Sequence, residues 1–387
     1  MKKKLCIVTD DHIWGAESAF AHLAGFDVDL RLLENKHINH AALSDADILL
    51  TRSATQVNEA LLAGTAVRFA ATATIGDDHY DKPWLDAHGI RWANAAGSST
   101  ASVLEYMLTV LFDLHARNMI NISQTCIGII GVGRIGTALA TLCEAMGMTV
   151  LLNDPPRQRE EGGTAFCSLN TMLAEADIIS LHTPLIRSAA DCTVHLLSQT
   201  EMNAFEGKGI INAGRGQCVD NAALCGWLDA DDGHFAVLDC WEHEPAPLSN
   251  LINHSGMAIA TPHIAGHSVE GKAANTQYIY NALCRFLAIE PQWDMTDELP
   301  VFPAPVEIPY QADTWQSLHA ASQALYPISN DDTVMRSWAE LSSGDLAQSF
   351  AQYRRNYPAR RDWQHAAVRL ADADAVNLAQ AIGFKVV

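Results

Sequence analysis

Cys126-Ile127-Gly128-Ile129-Ile130 runs straight into Gly131-Val132-Gly133-Arg134-Ile135-Gly136, and the residues that follow, TALATLCEAMG, have helical spacing. A GxGxxG triplet alone says little. Set between an apolar strand and a helix, it makes a tight turn, lets backbone approach a pyrophosphate and aims a helix N-terminus at that charge. The next apolar run, 149–154, ends in Asp154, about 20 residues on, where a carboxylate accepts from ribose hydroxyls and repels a 2′-phosphate. Gly131, Gly133, Gly136 and Asp154 therefore read as a site for NAD, with Arg157 the one nearby feature that leans towards NADP.

Outward from this turn, apolar runs alternate with helix-length segments. On its C-terminal side lie 177–183, 209–214, 235–240 and 257–261; before it lie 5–9, 28–33, 47–51, 68–75 and 90–94. Such alternation predicts α/β architecture with two doubly wound, Rossmann-like parallel sheets. Helical stretches at 99–118 and 269–287 would carry the chain out of the first sheet domain and back to it. The segment 298–310 holds Pro300, Pro303, Pro305 and Pro309, a linker signature, and a helical tail with Trp315, Trp338 and Trp363 follows as a small third domain.

Composition narrows the function classes. With 387 residues and 49% hydrophobic content, the chain has material for two or three cores. Its 25 Lys and Arg against 45 Asp and Glu leave a net charge of −20, which argues against nucleic acid or an anionic membrane as a partner. No apolar run approaches a membrane span, and no signal peptide is evident, so a cytoplasmic location is expected. The nine cysteines form no CxxC pair and read as reduced thiols. Neither HExxH nor paired CxxC occurs, so no metal site is expected.

Three segments stand at the ends of candidate strands, where open α/β sheets place ligands. They are Asn212-Ala213-Gly214-Arg215-Gly216, Asp239-Cys240-Trp241-Glu242-His243-Glu244-Pro245, and Thr261-Pro262-His263-Ile264-Ala265-Gly266. Oxidising a hydroxy acid requires a base for the hydroxyl proton, a cation for carboxylate and developing carbonyl, and an acid that orients the base. His263, Arg215 and Glu244 supply these in turn. Singly, each has a bland explanation as a structural histidine, an ion-pair arginine or a turn residue; the ordered set carries the reading.

That order resembles the D-isomer-specific 2-hydroxyacid dehydrogenases: GxGxxG, Asp, HTPL, NAGRGxxVD, DxxExEP, then TPHIAG. The resemblance implies catalytic roles for Arg215, Glu244 and His263. It implies cofactor contacts at Arg134, Ile135, Asp154, Thr183, Ala213, Gly214, Asp239 and Gly266, beside the turn glycines. One branch is matched more closely, through RSATQVN (52–58), TAT (72–74), LLNDPPR (151–157) and HIAGHSVEGKA (263–273). Its members oxidise 4-phospho-D-erythronate for pyridoxal 5′-phosphate synthesis and are homodimers whose extra C-terminal α+β domain joins the interface.

By that likeness the substrate domain spans 1–100 plus 268–295, the NAD-binding domain 101–267 and the dimerisation domain 296–387, with the site in a cleft between the first two. Ser53 and Thr74 become substrate contacts, and hydroxyls suit a phosphorylated polyhydroxy acid because they donate and accept without charge. His267 stands where the branch has a substrate-contacting Tyr, and Asp77-Asp78 make an unusually acidic turn after Gly76. Arg354, Arg355, Arg360 and Arg361 form a basic cluster that reads either as a solvated face or as a phosphate contact. The rival functions are a relative acting on phosphoglycerate, glyoxylate or hydroxypyruvate, and an NAD-sensing protein on the same fold.

Overall fold

The computed structural model describes residues 2–187 and 190–387 and divides into two compact units, Met1–Ser99 with Ser268–Val301, and Thr100–His267 with Phe302–Val387.

In the first unit, strands β1 (Lys3–Asp10), β2 (Phe26–Leu33), β3 (Ile48–Thr51), β4 (Phe69–Thr72) and β5 (Arg91–Asn94) form one sheet, ordered β2-β1-β3-β4-β5. Every pairing is parallel. Side chains alternate between two packed faces, which is why the inner strands are continuously apolar. Leu5, Ile7, Ile48, Leu50 and Phe69 pack with Ile279, Tyr280 and Leu283 of helix Val269–Leu287. Val8, Leu49 and Ala70 pack on the opposite face with Val57, Tyr80 and Leu85. Each fully buried aliphatic side chain contributes about 1.5–3 kcal/mol.

The second unit holds β6 (Cys126–Ile130), β7 (Thr149–Asn153), β8 (Ile178–Leu181), β9 (Gly209–Asn212), β10 (Phe235–Leu238) and β11 (Met257–Ala260). Their order is β11-β10-β9-β8-β6-β7, again all parallel. The strand order reverses between β6 and β8, the switch point at which such sheets bind ligands. All eleven expected strands are present, but most of those bearing motifs stop short of the expected end. The sheet stops at Ile130 because Gly131 turns left-handed (φ 86°), and β4 stops at Thr72 because the Thr74 hydroxyl bends back to Gly76 O at 2.7 Å. The residues that carry chemistry are the turns themselves.

The C-terminal segment lies in this same compact unit. It contributes β12 (Val306–Ile308) and β13 (Val368–Leu370), paired in parallel, and helices Thr314–Leu325, Ile328–Ser337, Ser343–Arg355 and Ala373–Ala381. Leu318, Ala321, Trp363 and Phe384 share one core with Tyr106 and Leu111 of helix Thr100–Ala116. Glu105 on that helix accepts the Trp363 amide at 2.7 Å. The helix expected to lead out of the first domain thus also supports the tail.

Candidate active site

The glycines of the nucleotide turn divide their work. A Cβ on Gly131 would lie 2.8 Å from the backbone of His182 and Thr183, and one on Gly136 would lie 2.1 Å from Gly131 O. Both positions need glycine for close packing. A Cβ on Gly133 would meet nothing within 4 Å, so this glycine leaves open space at the turn. Gly133 starts helix Arg134–Ala145 without a side-chain cap, so the first-turn N–H groups remain available to an anion. Asp154 accepts from Val132 N at 2.8 Å and from Arg157 N at 3.1 Å, so one carboxylate fixes the turn and caps the helix Pro155–Glu161. Arg157 is folded onto Val132 O and ion-paired with Glu161. The cradle fits a dinucleotide with a free ribose.

Arg134 is exposed at the first helical position and Ile135 packs against the core beneath it. The Thr183 hydroxyl donates to Cys218 Sγ at 3.3 Å.

Next to the switch point, the buried Asn212 accepts from Gly214 N at 3.1 Å and donates to Arg215 O at 3.0 Å, holding the turn that presents Arg215. Gly216 then comes so near the next motif that a Cβ there would lie 1.8 Å from Trp241 O. No other residue allows these two loops to meet. Trp241 N donates to Glu244 Oε1 at 2.8 Å, and His263 Nδ1–H donates to Glu244 Oε2 at 2.7 Å. That bond fixes the tautomer and leaves Nε2 as the acceptor. Burial pulls the Glu244 pKa upward, but the charge and hydrogen bond of His263, with Arg354 and the Trp241 amide, outweigh it and hold the carboxyl below its ordinary value. Glu244 is therefore ionised and paired at neutral pH.

His263 has φ 55°, a left-handed conformation uncommon for a side-chain-bearing residue. The backbone beyond it is gripped by Asp239, whose carboxylate accepts from Ile264 N at 2.8 Å, Ala265 N at 3.0 Å and Thr261 Oγ1 at 2.8 Å. Asp239, expected beside the cofactor, is engaged in holding the loop that bears His263, with Gly266 next along the chain. Tyr106 adds a hydrogen bond to Thr261 at 2.9 Å. His267 meets Tyr357 edge-on, ring centroids 5.7 Å apart.

In the first unit, Ser53 is exposed on the loop after β3, and Thr74 is tied to Thr72 at 2.8 Å. Asp77 is paired with Lys82 at 3.0 Å and Asn94 at 2.8 Å, which offsets one charge of the acidic turn. Among the described residues, three groups of His, Cys and acidic side chains lie close enough to share an ion, and in each the members are already paired. His12 bonds Asp11, His195 bonds Glu242, and Cys240 donates to Gly214 O at 3.2 Å beside the Glu244–His263 pair. No helix among the described residues is long and apolar enough to cross a membrane.

Sequence reasoning missed Asn212, Trp241 and Tyr106, because their roles depend on which strand ends become neighbours. It also missed that Arg354 and Arg360 bond backbone carbonyls, at His263 O (3.1 Å) and Ala265 O (2.9 Å). The cluster was visible; its target was not.

Residues 110–265 match the family described as "D-isomer specific 2-hydroxyacid dehydrogenase, NAD binding domain", and residues 300–383 match a domain of unknown function (DUF3410). A protein of Marinobacter nauticus named erythronate-4-phosphate dehydrogenase is 38% identical, covering 98% of this chain and 99% of that one. One of the same name from Proteus mirabilis is 35% identical over 98% of each. Among solved structures, D-lactate dehydrogenase of Aquifex aeolicus with NAD and lactic acid aligns with a TM-score of 0.60 at 21% identity, covering 73% of this chain and 95% of that one. The NAD-dependent formate dehydrogenase of Staphylococcus aureus aligns with 0.59 at 22%, covering 76% and 98%. These two share the fold.

Proposed function

The chain belongs to the erythronate-4-phosphate dehydrogenase family of D-isomer-specific 2-hydroxyacid dehydrogenases, and on that premise we propose that it oxidises 4-phospho-D-erythronate to (R)-3-hydroxy-2-oxo-4-phosphooxybutanoate, a step towards pyridoxal 5′-phosphate. The observation that supports this most directly is the His263–Glu244 hydrogen bond of 2.7 Å on a loop braced beside the Arg215 turn.

His263 Nε2 takes the proton of the substrate 2-hydroxyl, while Glu244 accepts from Nδ1–H and stabilises the imidazolium that forms. Arg215 holds the substrate carboxylate and the carbonyl oxygen as it develops, a task suited to a planar fork of donors. NAD, when bound, supplies the acceptor for the hydride leaving C2. The turn of Gly131, Gly133 and Gly136 with the open helix end would hold its pyrophosphate, and Asp154 would select a ribose without a 2′-phosphate. Arg134, Ile135, Thr183, Ala213, Gly214 and Gly266 line the cofactor's path, and Asp239 acts there through the loop it holds. Ser53, Thr74 and His267 contact the polyhydroxy phosphate. The protein works in the cytoplasm as a homodimer joined through its C-terminal segment.

Purified protein should reduce NAD with 4-phospho-D-erythronate, in the presence of a 2-oxo acid to reoxidise NADH, and prefer it to phosphoglycerate and unphosphorylated erythronate. His263→Ala serves as the blank and should lose about 10²–10⁴-fold in turnover. Preference for another hydroxy acid would overturn the substrate and keep the chemistry. Silence with all three, with NADH still bound, would favour a sensor.

A further inference from the structure

We propose that the C-terminal segment is a clamp for the catalytic loop, with Arg354 and Arg360 as positioning residues that hold His263 in its left-handed conformation; this rests on His263 being the base.

The clamp acts on consecutive stretches of one strand and its turn. β11 is the edge of its sheet, so one side of its backbone has no strand partner. The tail's helix Ile328–Ser337 supplies side-chain partners instead: Asp332 accepts Ala260 N at 2.7 Å and Arg336 donates to Met257 O at 2.6 Å. Past the strand, Arg354 Nε donates to His263 O at 3.1 Å and Arg360 Nη2 to Ala265 O at 2.9 Å. The same turn is held through its N–H groups by Asp239. An anion thus grips the donors of residues 264 and 265, and two cations grip the acceptors of 263 and 265.

A left-handed non-glycine residue persists only where its surroundings over-determine it. Asp239 fixes the two peptides that follow His263 through their N–H groups, Arg354 fixes the first of these through its carbonyl, and Arg360 fixes the next peptide along through Ala265 O. Arg360 is nearly buried, stacked 4.1 Å over Tyr326 with Glu105 3.8 Å away. Burying a guanidinium carries a desolvation cost that an apolar residue would avoid, and the return is a directed hydrogen bond to the loop. Arg354 is half-buried, so it is the better residue to change.

Arg354→Met in the full chain tests this by two independent readings. Hydrogen exchange of the 261–267 amides should accelerate by about tenfold or more, with β6 and the nucleotide turn unchanged. Turnover of 4-phospho-D-erythronate should fall about 10- to 100-fold in kcat, the scale expected when a base is misplaced, with NADH affinity within about twofold of wild type. Arg354→Lys, which keeps a donor, should recover part of both and serves if the Met variant does not fold. Unchanged exchange overturns the clamp, as does unchanged kcat in a protein that turns over. Accelerated exchange in a protein whose wild type never oxidises this substrate would leave the clamp standing and refute the proposed reaction instead.

Discussion

Gly216→Ala isolates the contact that brings the Arg215 turn to the Glu244 loop. The new methyl carbon would start 1.8 Å from Trp241 O, 1.9 Å from Trp241 C and 2.5 Å from Glu242 N, all backbone atoms. No rotamer change relieves this, so the two loops must part until the nearest contact reaches at least 3.0 Å. That displacement is on the order of 1 Å, and misplacing a catalytic group by that much costs about 100-fold in rate. Overpacking of this kind also costs about 1–3 kcal/mol of stability. The expected result is kcat down by about two orders of magnitude, a modestly lower Tm and NADH affinity near wild type. The assay is steady-state turnover of 4-phospho-D-erythronate beside NADH titration by fluorescence. A Gly216→Ala protein with kcat within about threefold of wild type would refute the reasoning, because the loops could then separate without moving Arg215 from its task.

Gly133→Ala should do the reverse: the protein alone keeps its Tm, since the methyl meets nothing, while NADH affinity falls by about tenfold or more as it enters the pyrophosphate space; equal binding by titration would contradict this. Asp154→Asn keeps one acceptor oxygen where the carboxylate offers one to each of the Val132 and Arg157 amides and removes the charge, so the NADP-to-NAD ratio of kcat/KM should rise by about tenfold, and a constant ratio would disprove the assignment. Glu244→Gln should make the fold less sensitive to acid. The Glu244 carboxyl lies below its ordinary 4.5, so it stabilises the folded state above the unfolded pKa and loses that contribution as pH falls through the lower folded value. Melting curves should show a gap between wild type and variant that is full above the ordinary carboxyl value of 4.5 and closes as pH falls below it; a gap independent of pH would count against it.

The parallel sheets were legible because strands buried on both faces leave unbroken runs such as CIGII and GIIN. Glycine turns and an ordered Arg, Glu and His follow such strands in a pattern that chain order alone preserves. Electrostatics were less legible. Asp239 carries the same carboxylate whether it meets a cofactor or the amides of Ile264 and Ala265, and only the fold of the 261–265 turn decides. Likewise Asp77 looks repulsive on paper, yet Lys82 and Asn94 meet it. The proline-rich stretch 298–310 promised a third domain, but a linker does not say what the tail packs against; Leu318 and Trp363 join the core of helix Thr100–Ala116.

Gly214 O receives two donors, Arg215 Nη1 at 2.9 Å and Cys240 Sγ at 3.2 Å. A thiol beside a reaction centre is an obvious nucleophile for peroxides and alkylating agents, yet the thiolate is the species that attacks. Burial pushes Cys240 well above its ordinary pKa, and the neighbouring Asp239 and Glu244 charges push it further. Kept as S–H, the sulfur serves as a hydrogen-bond donor and resists oxidation. Reagents such as iodoacetamide should then reach the exposed Cys192 well before Cys240, and blocking the surface thiol should spare the chemistry around Arg215.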